Sequence, residues 1–417
     1  MEELLRPRLL LLLPTHTYRA DGFIDAAKRL GFDLTVASEV PSSFEAQHPT
    51  ELITLDFDDP ESAVAGCKAF AAQCPLSAVI GPDDDTAVLA AMMSQELGLH
   101  SNPVAAVQAA RSKILQREQL RDGGLPVPDF RVHELSEDPV DIASSVSFPC
   151  VVKPTSLSAS RGVIRANDPE EFVAAHARLR AILESADVVA GESDRYIVER
   201  YVPGVEFAIE GLIVNGGLHI LAIFDKPDPL EGPFFEETIY VTPSRADPAV
   251  QNSLIDATGQ AAGALGLSTG PVHAELRYNG EGPWLIELAA RPIGGKCGRV
   301  LRFGENGERS LEDVVVAHAA GTLNGVPCRE SRAAGVMMIP IPAAGALERV
   351  GGVDAARRVP GVDEVLITAH RGQELVPLPE GSRYLGFIFA RADTPELAEA
   401  ALRRAHGELE IEVRREQ

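Results

Sequence analysis

The feature that most restricts the fold is the alternation of short apolar runs with helical periodicity over the first hundred residues. Leu9–Leu13 is an unbroken apolar run, which is typical of a strand buried on both faces of a parallel sheet. Further strands are predicted at 33–38 and 77–81, and helices near 20–30, 61–73 and 85–97. This alternation predicts a parallel sheet with helices on both faces. Ligands of such sheets bind at the carboxyl ends of the strands, here 14–19 and 81–86.

Behind this α/β front the pattern changes to a mixed α+β sequence without convincing internal repeats. A helix is predicted near 104–122, ending at the two glycines that follow. The segment 206–225 predicts a hairpin that turns at Asn215 and Gly216. Further strands are predicted at 148–154, 162–166, 196–202 and within 331–417, and further helices at 169–185, 248–265 and 395–406. The chain is therefore expected to combine α/β and α+β domains.

The composition excludes several classes of partner. The chain has 417 residues, 45% of them hydrophobic, which is enough for three or more domains. With 61 acidic and 38 basic residues its net charge is −23, so neither nucleic acid nor membrane is an expected partner. Five scattered cysteines without CxxC spacing indicate reduced thiols in the cytoplasm. The opening apolar run, ended by Pro14, is too short for a signal peptide or a membrane span.

The most informative local pattern is a second predicted hairpin, at 270–292. If its loop is centred on Glu281, Glu275 lies directly opposite Glu287, with Cβ atoms about 5 Å apart. Facing carboxylates repel unless a cation lies between them, and magnesium is bound by one or two carboxylates plus substrate phosphates. Glu275 and Glu287 are therefore predicted to hold magnesium; the alternative is that both point to solvent. The glycines after Arg291 would let a backbone approach an anion closely.

Three other segments favour a phosphate-binding function. Lys153 ends an apolar strand before a loop rich in serine and alanine, whose amides and hydroxyls can close over phosphates. Glu199 and Glu206 flank a short bend; extended backbone at 199–202 could bond a base edge, and Glu206 could hold ribose hydroxyls. Lys113, on a predicted helix, could reach the same phosphates. Each pattern is weak alone, and their occurrence together favours nucleotide binding.

Together and in this order, these residues resemble the ATP-grasp superfamily over roughly residues 8–325. The resemblance implies an ATP-grasp fold with four parts: an N-terminal Rossmann-like domain (1–110), a small lid subdomain (111–203), a large subdomain with the metal site (204–330) and a C-terminal α+β subdomain (331–417). The implied nucleotide contacts are Lys113, Lys153, Ser158, Ser160, Glu199, Arg200, Tyr201, Val202 and Glu206, and the implied metal ligands are Glu275 and Glu287. Ala289 replaces an asparagine that the family often has, which leaves the number of metal ions open.

The segment ELAARPIGG, with that alanine, is similar to the L-amino-acid ligase branch, the bacterial dipeptide synthetases. The resemblance implies that Arg291 contacts the substrate carboxylate or its phosphorylated form and that Gly294 lies beside the substrate. With Lys153, these are the expected catalytic residues. The segment 224–241 resembles the same branch and implies further contacts near the substrate. The implied substrate contacts are Lys226, Phe234, Phe235, Glu236, Glu237, His273, Arg291 and Gly294.

The chemistry implied by the resemblance is a two-step ligation. A carboxylate attacks the γ-phosphate of ATP, giving an acyl phosphate and ADP, and an amine then displaces phosphate. The implied cofactors are ATP and Mg²⁺ or Mn²⁺, the substrates are small carboxylates and amines, expected to be amino acids, and the assembly is a homodimer. Because an acyl phosphate hydrolyses in water, the loop 154–162 is expected to act as a lid.

Three residues or groups near these motifs have both a structural and a functional interpretation. His273 shares the metal face and is either a base for the amine or, more often for a lone histidine, a structural hydrogen-bonder. Asp83–Asp85 is expected to be a solvated loop and helix N-cap rather than a second metal cluster. Cys297 is expected to be a small buried apolar residue rather than a nucleophile.

Several other functions stay open from the sequence. A biotin-carboxylase-type protein has similar length and domain order, but the run after Arg291 lacks that group's Gln-Val-Glu-His pattern. The activated carboxylate could also pass to a thiol or hydroxyl acceptor. A nucleotide-binding regulator that has lost catalysis is favoured only by Ala289, whereas both lysines and both metal carboxylates are in place.

Overall fold

The computed structural model describes residues 6–185 and 194–415. Its N-terminal part contains a four-stranded parallel sheet in the order β3-β2-β1-β4. The elements are β1 (Arg8–Leu12), α1 (Ala20–Arg29), β2 (Asp33–Ser38), β3 (Leu52–Thr54), α2 (Pro60–Ala71), β4 (Ala78–Ile80) and α3 (Asp84–Glu96). Four consecutive leucines of β1 are completely buried, as expected for a strand covered on both faces. The predicted parallel sheet is therefore confirmed.

The single helix predicted over 104–122 is wrong, because the structure divides it into α4 (Val104–Arg111) and α5 (Lys113–Asp122). Ser112 between them has extended backbone angles, and its hydroxyl accepts a hydrogen bond from the Leu115 amide at 3.4 Å. Serine is a favoured N-cap because its hydroxyl satisfies an amide that has no partner in the first helical turn. The break places Lys113 at the start of α5.

A small antiparallel sheet follows, in the order β5-β8-β6-β7. Its elements are β5 (Phe130–Glu134), α6 (Pro139–Ala143), β6 (Cys150–Pro154), β7 (Ile164–Ala166), α7 (Pro169–Leu183) and β8 (Arg195–Arg200). Helix α7 buries Phe172 and Leu179 in the same apolar cluster as Val152 and Val198 of the sheet. Strands β6 and β8 are hydrogen-bonded neighbours, so Lys153 and Glu199 come from adjacent strands.

The largest sheet is antiparallel and has eight strands, in the order β13-β12-β9-β10-β11-β16-β20-β18. Its first part contains β9 (Val205–Val214), β10 (Gly217–Asp225), β11 (Ile239–Thr242), α8 (Pro248–Ala264), β12 (Gly270–Asn279) and β13 (Gly282–Ala289). The predicted turn at Asn215 and Gly216 is confirmed: their φ angles are 52° and 80°, and a two-residue hairpin turn with positive φ favours these residue types.

The hairpin of β12 and β13 has the predicted register, but for a different reason. Glu275 pairs directly with Glu287, as expected. The loop is not centred on Glu281, because Asn279 pairs with Gly282. A β-bulge between Glu275 and Leu276 leaves one extra residue on β13, which restores the pairing of Glu275 with Glu287. The facing carboxylates therefore depend on this bulge.

The C-terminal part extends the same large sheet. Its elements are β14 (Arg302–Phe303), β15 (Arg309–Ser310), α9 (Leu311–Ala319), β16 (Ala333–Ile339), β17 (Gly345–Gly351), α10 (Val353–Arg357), β18 (Val362–Ile367), β19 (Glu374–Leu375), β20 (Gly386–Ala392), α11 (Pro395–Gly407) and β21 (Glu410–Arg414). Because β11 pairs with β16, the sheet crosses residue 330, where the sequence predicts a boundary. The division into four domains stays a prediction. Within residues 6–185 and 194–415, no helix has the length and apolar character needed to cross a membrane.

Candidate active site

A cleft opens between the small sheet and the eight-stranded sheet. Its walls come from β6 and β8, the loop after β6, and strands β9, β12 and β13. The lining residues are Lys113, Pro128, Val151, Lys153, Leu157, Ser160, Val163, Glu199, Arg200, Tyr201, Val202, Glu206, Leu230, Phe235, Glu237, Glu275, Arg277, Ile286 and Glu287. Charged groups of both signs therefore meet in a cleft whose other walls are apolar.

Lys153 is held inside the cleft by a buried ion-pair triad. Its Nζ contacts Glu199 Oε2, and Arg117 Nε donates to Glu199 Oε1 at 2.7 Å. Burial disfavours the Glu199 carboxylate, but the charges of Arg117 and Lys153 outweigh it and lower the pKa of Glu199 to about 2. The pKa of Lys153 is also lowered, by burial and the nearby Arg117, because one carboxylate faces two cations. The side chain of Glu199 therefore orients a lysine.

Lys113 approaches the cleft from the start of α5. Its Nζ donates to the Leu157 carbonyl at 2.9 Å and lies 3.4 Å from Glu287 Oε1. Burial raises the pKa of the Glu287 carboxyl. The positive charge of Lys113 opposes this effect, and the resulting pKa lies below its ordinary value. The two predicted phosphate lysines thus reach the same cleft, one beside a predicted metal carboxylate.

Glu206, predicted to hold ribose hydroxyls, has two cationic partners. Lys226 Nζ donates to Oε1 at 2.7 Å, and Arg277 Nε donates to Oε2 at 2.8 Å. Burial opposes ionisation of this carboxyl, yet Lys226 and Arg277 lower its pKa below the ordinary value. The carboxylate is therefore ionised and fixed, with lone pairs left for hydroxyl donors.

A group of carboxylates surrounds Lys226. Its Nζ lies 2.6 Å from Glu237 and 3.3 Å from Glu275. Burial and repulsion from Glu275 raise the pKa of Glu237 to about 7, against the opposing charge of Lys226. Ligand oxygens of Glu206, Glu237 and Glu275 lie within 4.8 Å of one another. Three acids thus share Lys226, with Arg277 as a second cation on Glu206, and the repulsion between Glu237 and Glu275 is not fully offset.

The strip predicted to contact a base is largely hydrogen-bonded within the protein. The amides of Arg200 and Tyr201 donate to the carbonyls of Asp129 and Pro149, in the small lobe formed by β5–β8, α6 and α7, at 2.8 and 3.0 Å. The Val202 carbonyl accepts from Arg277 at 2.8 Å. The ring of Tyr201 stacks on Phe235, with centroids 6.5 Å apart. This aromatic pair gives the cleft an apolar wall.

Arg291 lies on the N-terminal side of the site, where it pairs with Asp84 at the start of α3. Its Nε lies 2.7 Å from Asp84 Oδ1. Burial opposes both charges, but the pair raises the pKa of Arg291 and lowers that of Asp84. Asp84 is only 26% exposed, so the prediction of a solvated loop is wrong for this residue. Its carboxylate is instead the ion-pair partner of Arg291 within the protein.

The glycine loop after Arg291 is also held by the N-terminal part. The Gly295 amide donates to the Tyr18 hydroxyl at 2.8 Å, so this amide is already paired. A Cβ on Gly294 would lie 3.2 Å from the same hydroxyl, a tight contact that would require the hydroxyl to shift by a few tenths of an ångström. Lys296 Nζ donates to the Tyr18 carbonyl at 3.1 Å.

His273 bridges the cleft and this loop. Its Nε2 lies 3.4 Å from Glu275, and its Nδ1 lies 3.5 Å from Glu210. Glu210 is fully buried, which raises its pKa, and it accepts the Ile293 amide at 3.0 Å. These contacts fit a structural hydrogen-bonder and equally a base, the two alternatives from the sequence.

The other predicted residues do not all line the cleft. Ser160 lines the cleft, whereas Ser158, Glu236, Lys226, His273, Arg291 and Gly294 do not. Glu236 is half-buried, which raises its pKa. Cys297 is buried, and burial raises the pKa of its thiol well above the ordinary value, in agreement with the apolar interpretation.

Sequence reasoning missed Arg117, Asp84, Glu210 and Tyr18. Arg117 follows Lys113 by four residues on α5 and so shares its face, a signal that was available. Glu210 is an acid inside an apolar strand, which is also a signal because such residues are rarely buried without partners. Asp84 and Tyr18 lie in the two strand-end segments where the sequence predicts ligands, but their partners lie more than two hundred residues away, so no local signal predicts these contacts.

Comparison with known proteins gives three matched regions. An ATP-grasp domain matches residues 146–300, an ATP-grasp N-terminal domain matches 24–100, and an L-amino acid ligase C-terminal domain 2 matches 337–414. The crystal structure of L-amino acid ligase from Bacillus licheniformis superposes with a TM-score of 0.83 at 26% identity, covering 99% of this chain and 100% of that one.

Two relatives show how far the sequence similarity extends. An uncharacterized protein of Sinorhizobium fredii is 22% identical over 409 residues, covering 96% of this chain and 82% of that protein. Carnosine synthase 1 of Mus musculus is 27% identical over 284 residues, covering 64% of this chain. The chain spans 34% of the length of that carnosine synthase.

The fold, the cleft and these matches define the class: the chain belongs to the ATP-grasp superfamily. Within it, the chain is a carboxylate–amine ligase, an enzyme that forms a carbon–nitrogen bond and produces ADP.

Proposed function

We propose that the chain activates an amino acid carboxylate with ATP, through an acyl phosphate, and joins it to the amine of a second amino acid. The observation that carries this proposal is the Arg291–Asp84 pair, 2.7 Å apart beside a cleft that contains Lys113 and Lys153. A cytoplasmic homodimer, the four domains and the residue roles below are parts of the same proposal.

In the first step, the chain's task is to position phosphate and carboxylate and to neutralise their charge. Lys153, oriented by Glu199, and Lys113 supply positive charge to the phosphates. Glu206 accepts the ribose hydroxyls. Arg291 binds the carboxylate and later its phosphorylated form, so its charge is in place when negative charge develops.

The acidic group around Lys226 fits a divalent cation. Oxygens of Glu206, Glu237 and Glu275 lie within 4.8 Å of one another, and repulsion from Glu275 helps to raise the pKa of Glu237, which an added positive charge would relieve. We propose that Glu275 and Glu237 of this group, together with Glu287, which pairs with Glu275 across the hairpin, hold Mg²⁺ or Mn²⁺, while Ala289 contributes no ligand. A bound cation of this kind neutralises charge on the transferring phosphoryl group.

The amino acid class is supported by the charge balance at Arg291. A substrate carboxylate that binds Arg291 takes the place of Asp84 in the ion pair. Asp84 would then be a partly buried carboxylate that has lost its main cationic partner. Such a charge is costly unless a cation replaces the lost one. The ammonium group of an α-amino acid supplies it, since it lies one carbon from the carboxylate. A zwitterion therefore satisfies both protein charges.

The test is phosphate release from Mg-ATP with single amino acids and pairs, with mass spectrometry of the products. The expected result is ADP formation that requires an amino acid, together with a dipeptide mass. ADP formation only with carboxylic acids that lack an amino group would overturn the amino acid assignment. Tight Mg-ATP binding without turnover for any acid would favour the lapsed regulator instead.

A further inference from the structure

A segment of the C-terminal part, residues 377–381, contacts the small lobe at the loop beside the cleft. Glu380 accepts two hydrogen bonds from Arg178 of α7, each 2.8 Å long. The Glu380 carbonyl accepts from Arg161 Nε at 2.9 Å, and the Pro379 carbonyl accepts from the Gly162 amide at 2.9 Å. Two lobes that are distant in sequence are thus joined by four hydrogen bonds at one point.

The small-lobe side of this contact is Arg178 of α7 together with the loop 155–163, which we call the phosphate loop. Leu157, Ser160 and Val163 line the cleft, and the Leu157 carbonyl accepts from Lys113. The loop also carries backbone strain, because Ala159 and Ser160 both have φ of 55°. Non-glycine residues persist in this left-handed region only when surrounding contacts hold them there.

The segment 377–381 is itself well fixed, so it can provide such support. The Gly381 amide donates to the Pro377 carbonyl at 2.9 Å, and a Cβ on Gly381 would lie 1.8 Å from the Val376 carbonyl oxygen. Only glycine fits this close approach. The bidentate geometry of Arg178 and Glu380 adds direction as well as charge.

We propose that Glu380 is a positioning residue: its pair with Arg178 of α7 anchors segment 377–381, whose carbonyls hold the phosphate loop over the cleft and so keep water away from the activated carboxylate. The consequence for the reaction rests on the proposed function, whereas the holding of the loop does not. Loss of the pair lets the loop open more often, and the acyl phosphate is then hydrolysed before the amine reacts.

The first test follows backbone hydrogen exchange of residues 155–163 by mass spectrometry in the full-length protein without ligands. The variants are Glu380→Gln, Arg178→Gln and the double variant. An exposed pair of this kind predicts exchange about two- to fivefold faster in each single variant, and no further increase in the double variant, since both singles break one interaction. Unchanged exchange in Glu380→Gln, or effects that add in the double variant, would overturn the proposal.

Arg349→Gln is a matched control. Arg349 makes a similar pair with Glu412, at 53% and 51% exposure against 42% for both Arg178 and Glu380. That pair lies between β17 and β21, within the C-terminal part. We expect Arg349→Gln to leave exchange at 155–163 unchanged. An equal acceleration there would mean that general loosening, not the pair, controls the loop.

The second test measures ADP formed per amide bond formed, using the amino acid pair that turns over best in the wild-type protein. We expect the ratio to rise about two- to fivefold in Glu380→Gln, while Arg349→Gln keeps the wild-type ratio. A purely structural role would lower both products together and leave the ratio unchanged, which would contradict the proposal. If the wild-type protein turned over no pair, the proposed function would fail, and the exchange experiment would still decide whether Glu380 holds the loop.

Discussion

The proposed nucleotide side of the site, around Lys153, and its proposed carboxylate side, around Arg291, are built in different ways. On the nucleotide side, Lys153, Glu199 and Glu206 come from β6, β8 and β9, and they are already paired with neighbouring charges. On the carboxylate side, Arg291 and Gly295 are held by Asp84 and Tyr18, from the other end of the chain. The first arrangement depends on adjacent strands, and the second depends on how the N-terminal part packs.

This difference suggests two kinds of preorganisation. We expect the triad of Lys153, Glu199 and Arg117 to keep its ion pairs when a nucleotide binds. The Asp84–Arg291 pair has to be exchanged, because the same guanidinium is proposed to bind the substrate. Substitutions should therefore affect stability most on the nucleotide side and selectivity most on the carboxylate side.

The largest expected effect is on stability, in Glu199→Gln. Arg117 and Lys153 would remain buried without their carboxylate, and breaking a buried pair in this way costs about 3–5 kcal/mol. Urea unfolding at pH 7 measures the loss. Glu412→Gln, which breaks an exposed pair, should cost less than about 1 kcal/mol. Equal losses in the two variants would show that the nucleotide side is not specially preorganised.

The same carboxyl predicts how wild-type stability depends on pH. The pKa of Glu199 is about 2 in the folded state, below its ordinary value of 4.5. Its contribution is therefore fully present above pH 4.5 and is lost as the pH falls toward 2. We expect the difference in unfolding free energy between wild type and Glu199→Gln to shrink over this range. A difference that stayed constant with pH would contradict the assignment.

The next effect is catalytic and confined to the carboxylate side. Arg291→Met should reduce amide formation about 10²- to 10³-fold, the range for removing one charge-stabilising donor. The affinity for Mg-ADP, measured by calorimetry, should stay near the wild-type value. Arg299→Met, at an exposed arginine nearby, should leave both quantities unchanged. A large loss of ADP affinity in Arg291→Met would mean that the two sides are not separable.

Most of the fold and the nucleotide side were predictable because their signals are local. The apolar run of β1, the Asn215–Gly216 turn and Lys153 at a strand end each lie within a few residues. The register of Glu275 and Glu287 was predicted correctly through two compensating differences, a shorter loop and a bulge. Local periodicity contains no information on such a bulge.

The carboxylate side was only half predictable, for a physical reason. Arg291 was visible from its strand and the glycines beyond it, but its partner Asp84 depends on packing between distant segments. Three consecutive aspartates at a helix start are usually solvated, and only the fold decides that Asp84 turns toward Arg291. The sequence-based assignments of metal and substrate contacts stay predictions, and the Arg291 and Asp84 variants test the substrate contacts.

A smaller and more selective effect is expected in Asp84→Asn. If Asp84 binds the substrate ammonium, the variant should lose about tenfold in kcat/KM for an amino acid, the equivalent of about 1.4 kcal/mol, which is close to the lower end of the range for a hydrogen bond to a charged group. The matching acid without the amino group should not be affected. Asp85→Asn is the control, since Asp85 is 57% exposed. Equal losses for both acids would restrict Asp84 to orienting Arg291.

The smallest expected effect separates two uses of the Gly295 amide, in Tyr18→Phe. The Tyr18 hydroxyl accepts this amide, so the substitution frees a donor that could stabilise an oxyanion. It also removes a hydrogen bond that holds the loop after Arg291. Tyr18 retains its ring beside Lys296, whose Nζ lies 5.1 Å from the ring centroid, so the local packing should survive.

We expect the loss of loop positioning to outweigh the gain of a free donor. Without the Tyr18 hydroxyl the loop is less well held, so the Gly295 amide has no fixed direction. The rate of amide formation in Tyr18→Phe should therefore fall about two- to fivefold, as for one neutral hydrogen bond, with Mg-ADP affinity unchanged. A faster rate would mean that the amide is the better catalyst when free and that the Tyr18 hydroxyl restrains it. In that case the N-terminal part would restrain the carboxylate side by occupying this donor.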